Sequence, residues 1–342
     1  MRRSAVLFGA VALAATVSCT KNDPAPAPPA GADATATEPA DAPVTTDIKT
    51  DDLPKQLADA LVQAKTRADE IEARWTPQMR EGMTQLVSTQ YDDTEAALTA
   101  ILASPHRAPG NADRDVYRRP VETLTFFGLT PQMKVFEYGS GAGWYTEVLA
   151  PLLAREGTLR LPGYDHESED AQVRYGARAT DLFVGAPGNL YEHVELVEQT
   201  QLFGAPNFGP ADSLDMILVF RMMHNVHRFK MWDALMPAVY ESLKPGAVLA
   251  VVQHRAADDA DPDKSAPTGY MPEPWLIEKV SSYGFELAAR SDHNANPKDT
   301  KDHPGGVWTL PPSLQKGDED RDKYVAIGES DRSTLKFVKV AK

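Results

Sequence analysis

KVFEYGSGAGWYTEVL, residues Lys134 to Leu149, is the stretch on which the fold turns. Val135-Phe136-Glu137-Tyr138 is a short, mostly apolar run suited to a buried strand. Gly139-Ser140-Gly141-Ala142-Gly143 follows at once, and Trp144 to Leu153 then reads as a helix. In that order, strand, glycine turn and helix put backbone N–H groups and a helix N-terminus at the carboxyl edge of a sheet, where an anionic group can dock. Glycine suits such a turn because no side chain keeps a ligand from the backbone. A dinucleotide fingerprint, G-x-G-x-x-G, would need glycine at 144, and Trp144 stands there instead.

Toward the C-terminus, apolar runs recur as further strands are expected to. Gly157-Thr158-Leu159-Arg160-Leu161 leads to Asp165, twenty-two residues beyond Gly143. His193 to Val197 reads as a third strand and Leu214 to Phe220 as a strongly apolar fourth. A helix from Trp232 to Leu243 ends in Lys244-Pro245-Gly246, a turn into a fifth strand at Ala247 to Val252. Phe285 to Ser291 and Thr334 to Val340 complete the set. Strands alternating with helices predict an α/β fold with a parallel sheet.

The pattern E-x-G-x-G-x-G from Glu137 to Gly143 resembles motif I of the class I methyltransferases. Helix, L-K-P-G and apolar strand in succession resemble the same family. SPHR at Ser104 to Arg107, DVYRRPVETLTFFGL, FRMMHN, NANPKDTKD and GESDR are together similar to a group of bacterial predicted class I methyltransferases with secreted and lipoprotein members. Glycine loops in that group more often read PGGGW; GAGW here keeps the glycines. The resemblance spans roughly residues 104 to 342. It implies a Rossmann-like, seven-stranded, mostly parallel sheet with an antiparallel last strand. It also implies S-adenosylmethionine as cofactor, its methionine end held by Glu137, Gly139, Ser140, Gly141 and Gly143, and its ribose hydroxyls bound by Asp165. A fold and a cofactor class follow from it, not a reaction.

Ligands of open α/β sheets sit beyond the carboxyl ends of the strands. Several of the eight histidines fall there: His166, His224, His227, His254 and His293, accompanied by Arg221, Asn225 and Arg255. Methyl transfer depends mainly on positioning. A base is needed only where the nucleophile carries a proton, and histidine suits that role near neutral pH. The catalytic candidates are therefore His224 or His254 as base, with Arg221 or Arg255 holding an anionic group of a small-molecule substrate. Two alternatives stay open. His224, His227 and His254 could be metal ligands, although no metal is the preferred reading. The same pocket could also serve an exported, non-catalytic protein that binds a nucleoside or an amino-acid-like ligand.

The formal charge is −14, from 35 Lys and Arg against 49 Asp and Glu, which argues against a nucleic-acid partner. Residues 1–19 read as a lipoprotein signal peptide: Arg2 and Arg3, an apolar run from Ala5 to Val17, then Cys19, the only cysteine. Acylation at Cys19 would attach an exported chain to a bacterial membrane without a transmembrane helix. Residues 20–50, rich in Pro and Ala, read as a disordered tether. Residues 51–110 read as a helical extension covering one edge of a methyltransferase-like domain at 111–342. Leu53, Leu57, Leu61, Ala64 and Ala68 mark one helix face, Thr76-Pro77 interrupts it, and a helix resumes over Met79 to Leu102. Another runs from Asp115 to Phe127 and stops at Gly128. The polar loop Asn294 to Trp308 is expected on the substrate side, and Gly328 to Arg332 is expected to brace the last strand by ion pairing.

Overall fold

A computed structural model describes residues 48–201 and 206–340. The signal segment, Cys19 and nearly all of the tether lie outside the described residues. Five helices come first: α1 (Lys55–Glu72), α2 (Pro77–Ser88), α3 (Thr94–Ala103), α4 (Asp115–Arg118) and α5 (Pro120–Phe127). Strand β1 (Lys134–Tyr138), α6 (Thr146–Leu153), β2 (Thr158–Tyr164), α7 (Ala171–Gly185) and β3 (Val194–Gln199) follow. After them come β4 (Leu214–Phe220), α8 (Met223–Arg228), α9 (Trp232–Ser242), β5 (Leu243–His254), α10 (Pro262–Ser265), α11 (Glu273–Ser281), β6 (Phe285–Ser291), α12 (Arg321–Ile327) and β7 (Arg332–Lys339).

The strands form one sheet in the order β3-β2-β1-β4-β5-β7-β6. Strands β1 to β5 pair in parallel, and β7 runs antiparallel to both of its neighbours. This is the Rossmann-like methyltransferase arrangement, with its single reversed last strand. Connections run outward from β1 to β3, then jump back to β4 on the other side of β1. The carboxyl ends of β1 and β4 therefore flank the topological switch point, where open α/β sheets bind their ligands.

Successive residues of a strand face opposite sides, so the apolar run of β4 feeds two cores. Met216, Leu218 and Phe220 pack with Leu124, Phe127, Val148 and Leu149 from α5 and α6. Ile217 and Val219 pack with Leu235, Val239, Leu276 and Val280 from α9 and α11. Strand β5 is longer than its apolar run suggests. The Lys244-Pro245-Gly246 turn lies within it as an irregularity, pairing slipping between Leu214↔Leu243 and Met216↔Val248, with Gly246 at φ 76.

The N-terminal helices do not cover an edge of the sheet, as expected from sequence, but form a third layer over one face. Helix α1 lies on α7, α2 and α3 on α6, and α3 also on α5. Trp75, Met83, Leu98 and Ile101 enter the same core as α6; fully burying a Met, Leu or Ile side chain is worth about 1.5–3 kcal/mol. Two expected helices are broken. Met79 to Leu102 divides at Asp93, whose carboxylate accepts the Ala96 N–H at 2.8 Å and starts α3. Asp115 to Phe127 divides at Arg119, held at φ 38 before Pro120, which has no N–H to continue a helix. Gly128 at φ 80 closes α5 as the sequence implies.

Candidate functional site

The glycine turn joins β1 to α6 at the switch point. Its three glycines have positive φ: 80 at Gly139, 58 at Gly141 and 77 at Gly143. They serve different ends. A Cβ on Gly139 would lie 2.6 Å from Met222 Cγ, and one on Gly143 would strike the Phe183 ring, so these two are demanded by packing. A Cβ on Gly141 would meet nothing within 4 Å. Gly141 and Ala142 are exposed, so the turn presents an open backbone face there. Ser140 accepts the Gly143 N–H at 3.0 Å, and Gly143 accepts the Glu147 N–H at 3.0 Å, continuing into α6.

Glu137 lies beneath the turn, 5% exposed. Its carboxylate accepts the Thr146 hydroxyl at 2.6 Å. Burial pushes its pKa up to about 7, against the Thr146 hydrogen bond and the attraction of Arg221. Asp165 follows β2 directly, is exposed, and accepts the Glu167 N–H at 2.9 Å. Strands β1 and β2 are adjacent and parallel, so Asp165 and the glycine turn share the carboxyl edge.

Arg221 ends β4 in the left-handed region, φ 58, and donates its N–H to Val252 O at 2.6 Å. The next turn is α8, whose Met223 N–H is taken by Gln253 Oε1 at 3.1 Å. That link brings His224 beside His254 at the end of β5, ring centroids 5.9 Å apart. Trp308 stands 5.9 Å from His224, and Tyr270 6.4 Å from His254. Gln253 Nε2 approaches His224 Nδ1 at 3.4 Å, and Ser330 Oγ lies 2.5 Å from His254 Nδ1. Burial lowers the His224 pKa to about 4. Burial, then the neighbouring His224, holds that of His254 well below its ordinary value. Both rings are neutral at pH 7; the His224 lone pair at Nδ1 faces the Gln253 amide donor, whereas His254 can donate Nδ1–H to Ser330 Oγ and keep a lone pair on Nε2.

Other candidates are employed elsewhere. His227 Nε2 meets Asp263 at 2.8 Å, and its Nδ1 accepts the Trp232 indole N–H at 3.2 Å. It does not join His224 and His254, and no three His, Cys, Asp or Glu side chains among the described residues are grouped to hold a metal ion. Arg255 is already neutralised by Asp331, Asp292 and Glu273, so of the two arginines considered only Arg221 keeps its charge for a ligand. His166 pairs with Asp181 on the surface, and His293 packs against Phe126. Asn225 lies in α8 with its amide 3.7 Å from the Met222 sulfur.

The loop after β6 folds back over this end of the sheet. Asn294 donates to Thr123 and Thr334, and Asn296 to the carbonyls of Ile327 and Glu329, which is how Trp308 comes to His224. The ion pairs expected of Gly328 to Arg332 are present: Glu329 bonds Arg118 and Arg332, and Asp331 bonds Arg255. Gln253, Ser330 and Arg118 were not foreseen as site residues; the run DVYRRP carried Arg118, but nothing local marks its partner. A separate groove of about 320 Å³ lies between the α2–α3 turn, residues 130–132 and the end of α6, near the amino end of β1 and away from these residues.

No family model matches the chain, and no curated protein matches it. Solved structures of similar shape include a SAM-dependent methyltransferase from Aquifex aeolicus, 15% identical, covering 73% of this chain and 100% of that one at a TM-score of 0.41. A SAM-dependent methyltransferase from Methanosarcina mazei is 12% identical over 64% of this chain and 98% of its own, TM-score 0.42. Phosphoethanolamine N-methyltransferase 2 of Haemonchus contortus, in complex with S-adenosyl-L-methionine, is 13% identical over 75% of this chain and 60% of its own, TM-score 0.42. Likeness at this level is one of general outline, and the fold assignment stands on the strand order.

Proposed function

We propose that the protein is an S-adenosylmethionine-dependent methyltransferase acting on a small-molecule acceptor. The observation that carries the reading is the pairing of two features across the switch point. On the β1–β2 side, the open backbone face at Gly141 lies at one edge with the exposed Asp165 and the buried Glu137. On the β4–β5 side stands a neutral histidine pair. The first fits an elongated nucleoside ligand: Gly141 backbone along its amino-acid end, Asp165 on its ribose hydroxyls. Bound there, the cofactor supplies an electrophilic methyl carbon. The chain's own part is to hold the acceptor in line, to exclude water, and to take a proton at an imidazole nitrogen. Gln253 Nε2 can only donate to His224 Nδ1, so neutral His224 carries its proton on Nε2; His254 can donate Nδ1–H to the Ser330 hydroxyl oxygen and keep its Nε2 lone pair, which makes it the better base of the two. A base beside the crevice favours catalysis over the binding-only reading.

Calorimetry on the full chain tests the cofactor, with S-adenosylmethionine and S-adenosylhomocysteine as titrants; no heat from either at millimolar concentration removes the proposal. The pH dependence adds a sharper check. A sulfonium or ammonium cation near Glu137 favours its ionised form, and the free carboxyl titrates at about 7. Affinity is therefore expected to rise with pH through about 7, with proton release on binding below it. Glu137→Gln should flatten that dependence, and a wild-type affinity independent of pH between 6 and 8, on the order of one unit either side of that pKa, would separate Glu137 from the ligand.

We propose further that the chain is exported and attached to a membrane by lipid on Cys19. Arg2, Arg3 and the apolar run before Cys19 support this. No helix among the described residues is long and apolar enough to cross a membrane. Cells given a labelled fatty acid are expected to label the protein and recover it with membranes. Cys19→Ser should lose the label and shift the protein to the soluble fraction; equal labelling of the two would rule out Cys19 as the anchor.

A further inference from the structure

We propose that Arg118, Arg221 and Arg332 form an oxyanion pocket on the acceptor side of the crevice, which takes a carboxylate or phosphate group of the methyl acceptor. Four guanidinium groups gather about one carboxylate. Glu329 accepts from Arg114 Nε at 3.0 Å, from Arg118 Nε at 2.9 Å and from Arg332 Nη1 at 2.9 Å. Arg221 is close enough for its charge to act on Glu329 as well. Arg118 and Arg332 are each 2% exposed and Glu329 3%, so water does little to screen the excess positive charge.

The carboxylates nearby are engaged elsewhere. Glu147 and Asp115 both hold Arg107, and Glu137 takes the Thr146 hydroxyl. Of the four guanidinium nitrogens buried without a partner among the described residues, one, Arg160 Nη1, belongs to β2, and the other three belong to these arginines: Arg118 Nη1, Arg221 Nη1 and Arg332 Nε. An unsatisfied charged donor is costly inside a protein. Three on arginines that all act on Glu329, in a chain of net charge −14, point to an acceptor supplied from outside.

A plain structural brace between α4 and β7 accounts for Arg114, Arg118 and Arg332. It does not account for Arg221, which makes no ion pair with Glu329 and is held in left-handed backbone at the end of β4. The position favours the acceptor over the donor. Arg332 is the register partner of His254 across β5 and β7. Asp165, the ribose candidate, lies on the far side of β1. The Trp144 ring stands under Arg118 at 4.7 Å, and the Tyr145 ring lies 6.0 Å from Arg221, so two aromatic faces border the cluster and limit water.

Assigning the anion to the acceptor rests on the methyltransferase reading; the anion site itself does not. Calorimetry on the full chain with inorganic phosphate and with acetate, at ionic strength matched by chloride, should show saturable binding of at least one. Tighter phosphate points to a phosphorylated acceptor, tighter acetate to a carboxylate. Arg221→Gln removes no ion pair among the described residues, so the fold should persist; affinity should fall about tenfold or more, the worth of a charge-assisted hydrogen bond. Arg155→Gln, on the surface with Glu156, should leave it unchanged. No saturable binding of either anion, or equal affinity in Arg221→Gln, overturns the pocket. Saturating S-adenosylhomocysteine should leave phosphate binding intact, and competition between them would hand the arginines to the donor's own carboxylate. Phosphate binding that needs Arg221 in a chain that ignores S-adenosylhomocysteine would sink the methyltransferase reading alone.

Discussion

Glu329→Gln is expected to lose about 3–5 kcal/mol of stability, the usual penalty for deleting one member of a buried ion pair. Glu329 is 3% exposed and neutralises Arg118 and Arg332, each 2% exposed, along with Arg114. Glutamine keeps the shape and one acceptor oxygen, but leaves the three guanidiniums that Glu329 holds without their counter-charge. Domains of ordinary stability have about 5–15 kcal/mol in all, so the variant should unfold at much lower urea. The sign with pH follows from the carboxylate. Despite burial, the surrounding arginines hold its pKa far below its ordinary 4.5. Its contribution is fully present above that ordinary value and is lost as pH falls toward the depressed one. The wild type should therefore lose stability on acidification below about pH 4.5, while Glu329→Gln should show a weaker slope there. Breaking the exposed Lys55–Asp59 pair with Lys55→Ala offers the comparison, since such pairs contribute about 0–1 kcal/mol. Urea midpoints for the two variants that coincide would show that the cluster is not an energetic keystone.

How much of this was legible beforehand depended on how local each cause was. The strand–glycine–helix unit lies within sixteen residues and is set by its own periodicity, so β1, the turn and α6 could be placed, as could the apolar run of β4. The broken helices also carried local signals, Asp93 ahead of Thr94 and Pro120 after Arg119, which apolar spacing alone overrode. The charge pairings were a different matter. Arg118 and Glu329 are 211 positions apart, and nothing in either neighbourhood names the other. Arg255 and Arg221 each follow a strand end and look alike in sequence; only the fold delivers Asp331, Asp292 and Glu273 to the first and, among the described residues, no ion pair to the second. His224 and His227 part for the same reason, because Asp263 and Trp232 reach one of them from α10 and α9.

Gly141→Asp is expected to abolish S-adenosylmethionine binding, weakening it at least about a hundredfold, while the protein stays folded. The fold survives because a Cβ at 141 meets no atom within 4 Å, and aspartate is among the residues that tolerate left-handed backbone, here φ 58. The strain is on the order of 1 kcal/mol, to be seen as a small shift in melting temperature. Binding suffers on two counts. The new side chain occupies the face along which the ligand must meet the backbone, and its carboxylate opposes the carboxylate that the ligand's amino-acid end carries. Like charges at about 4 Å and an effective dielectric near 20 repel by about 4 kcal/mol before screening, enough for a hundredfold loss even after substantial attenuation. Position 143 would be the wrong place for this test. A Cβ there strikes Phe183, so Gly143→Ala would disturb the turn, and lost binding would only report lost packing. Calorimetry and a melting curve on Gly141→Asp together decide the point: an intact transition with lost binding locates the ligand on this turn, whereas unchanged affinity would place the pocket elsewhere.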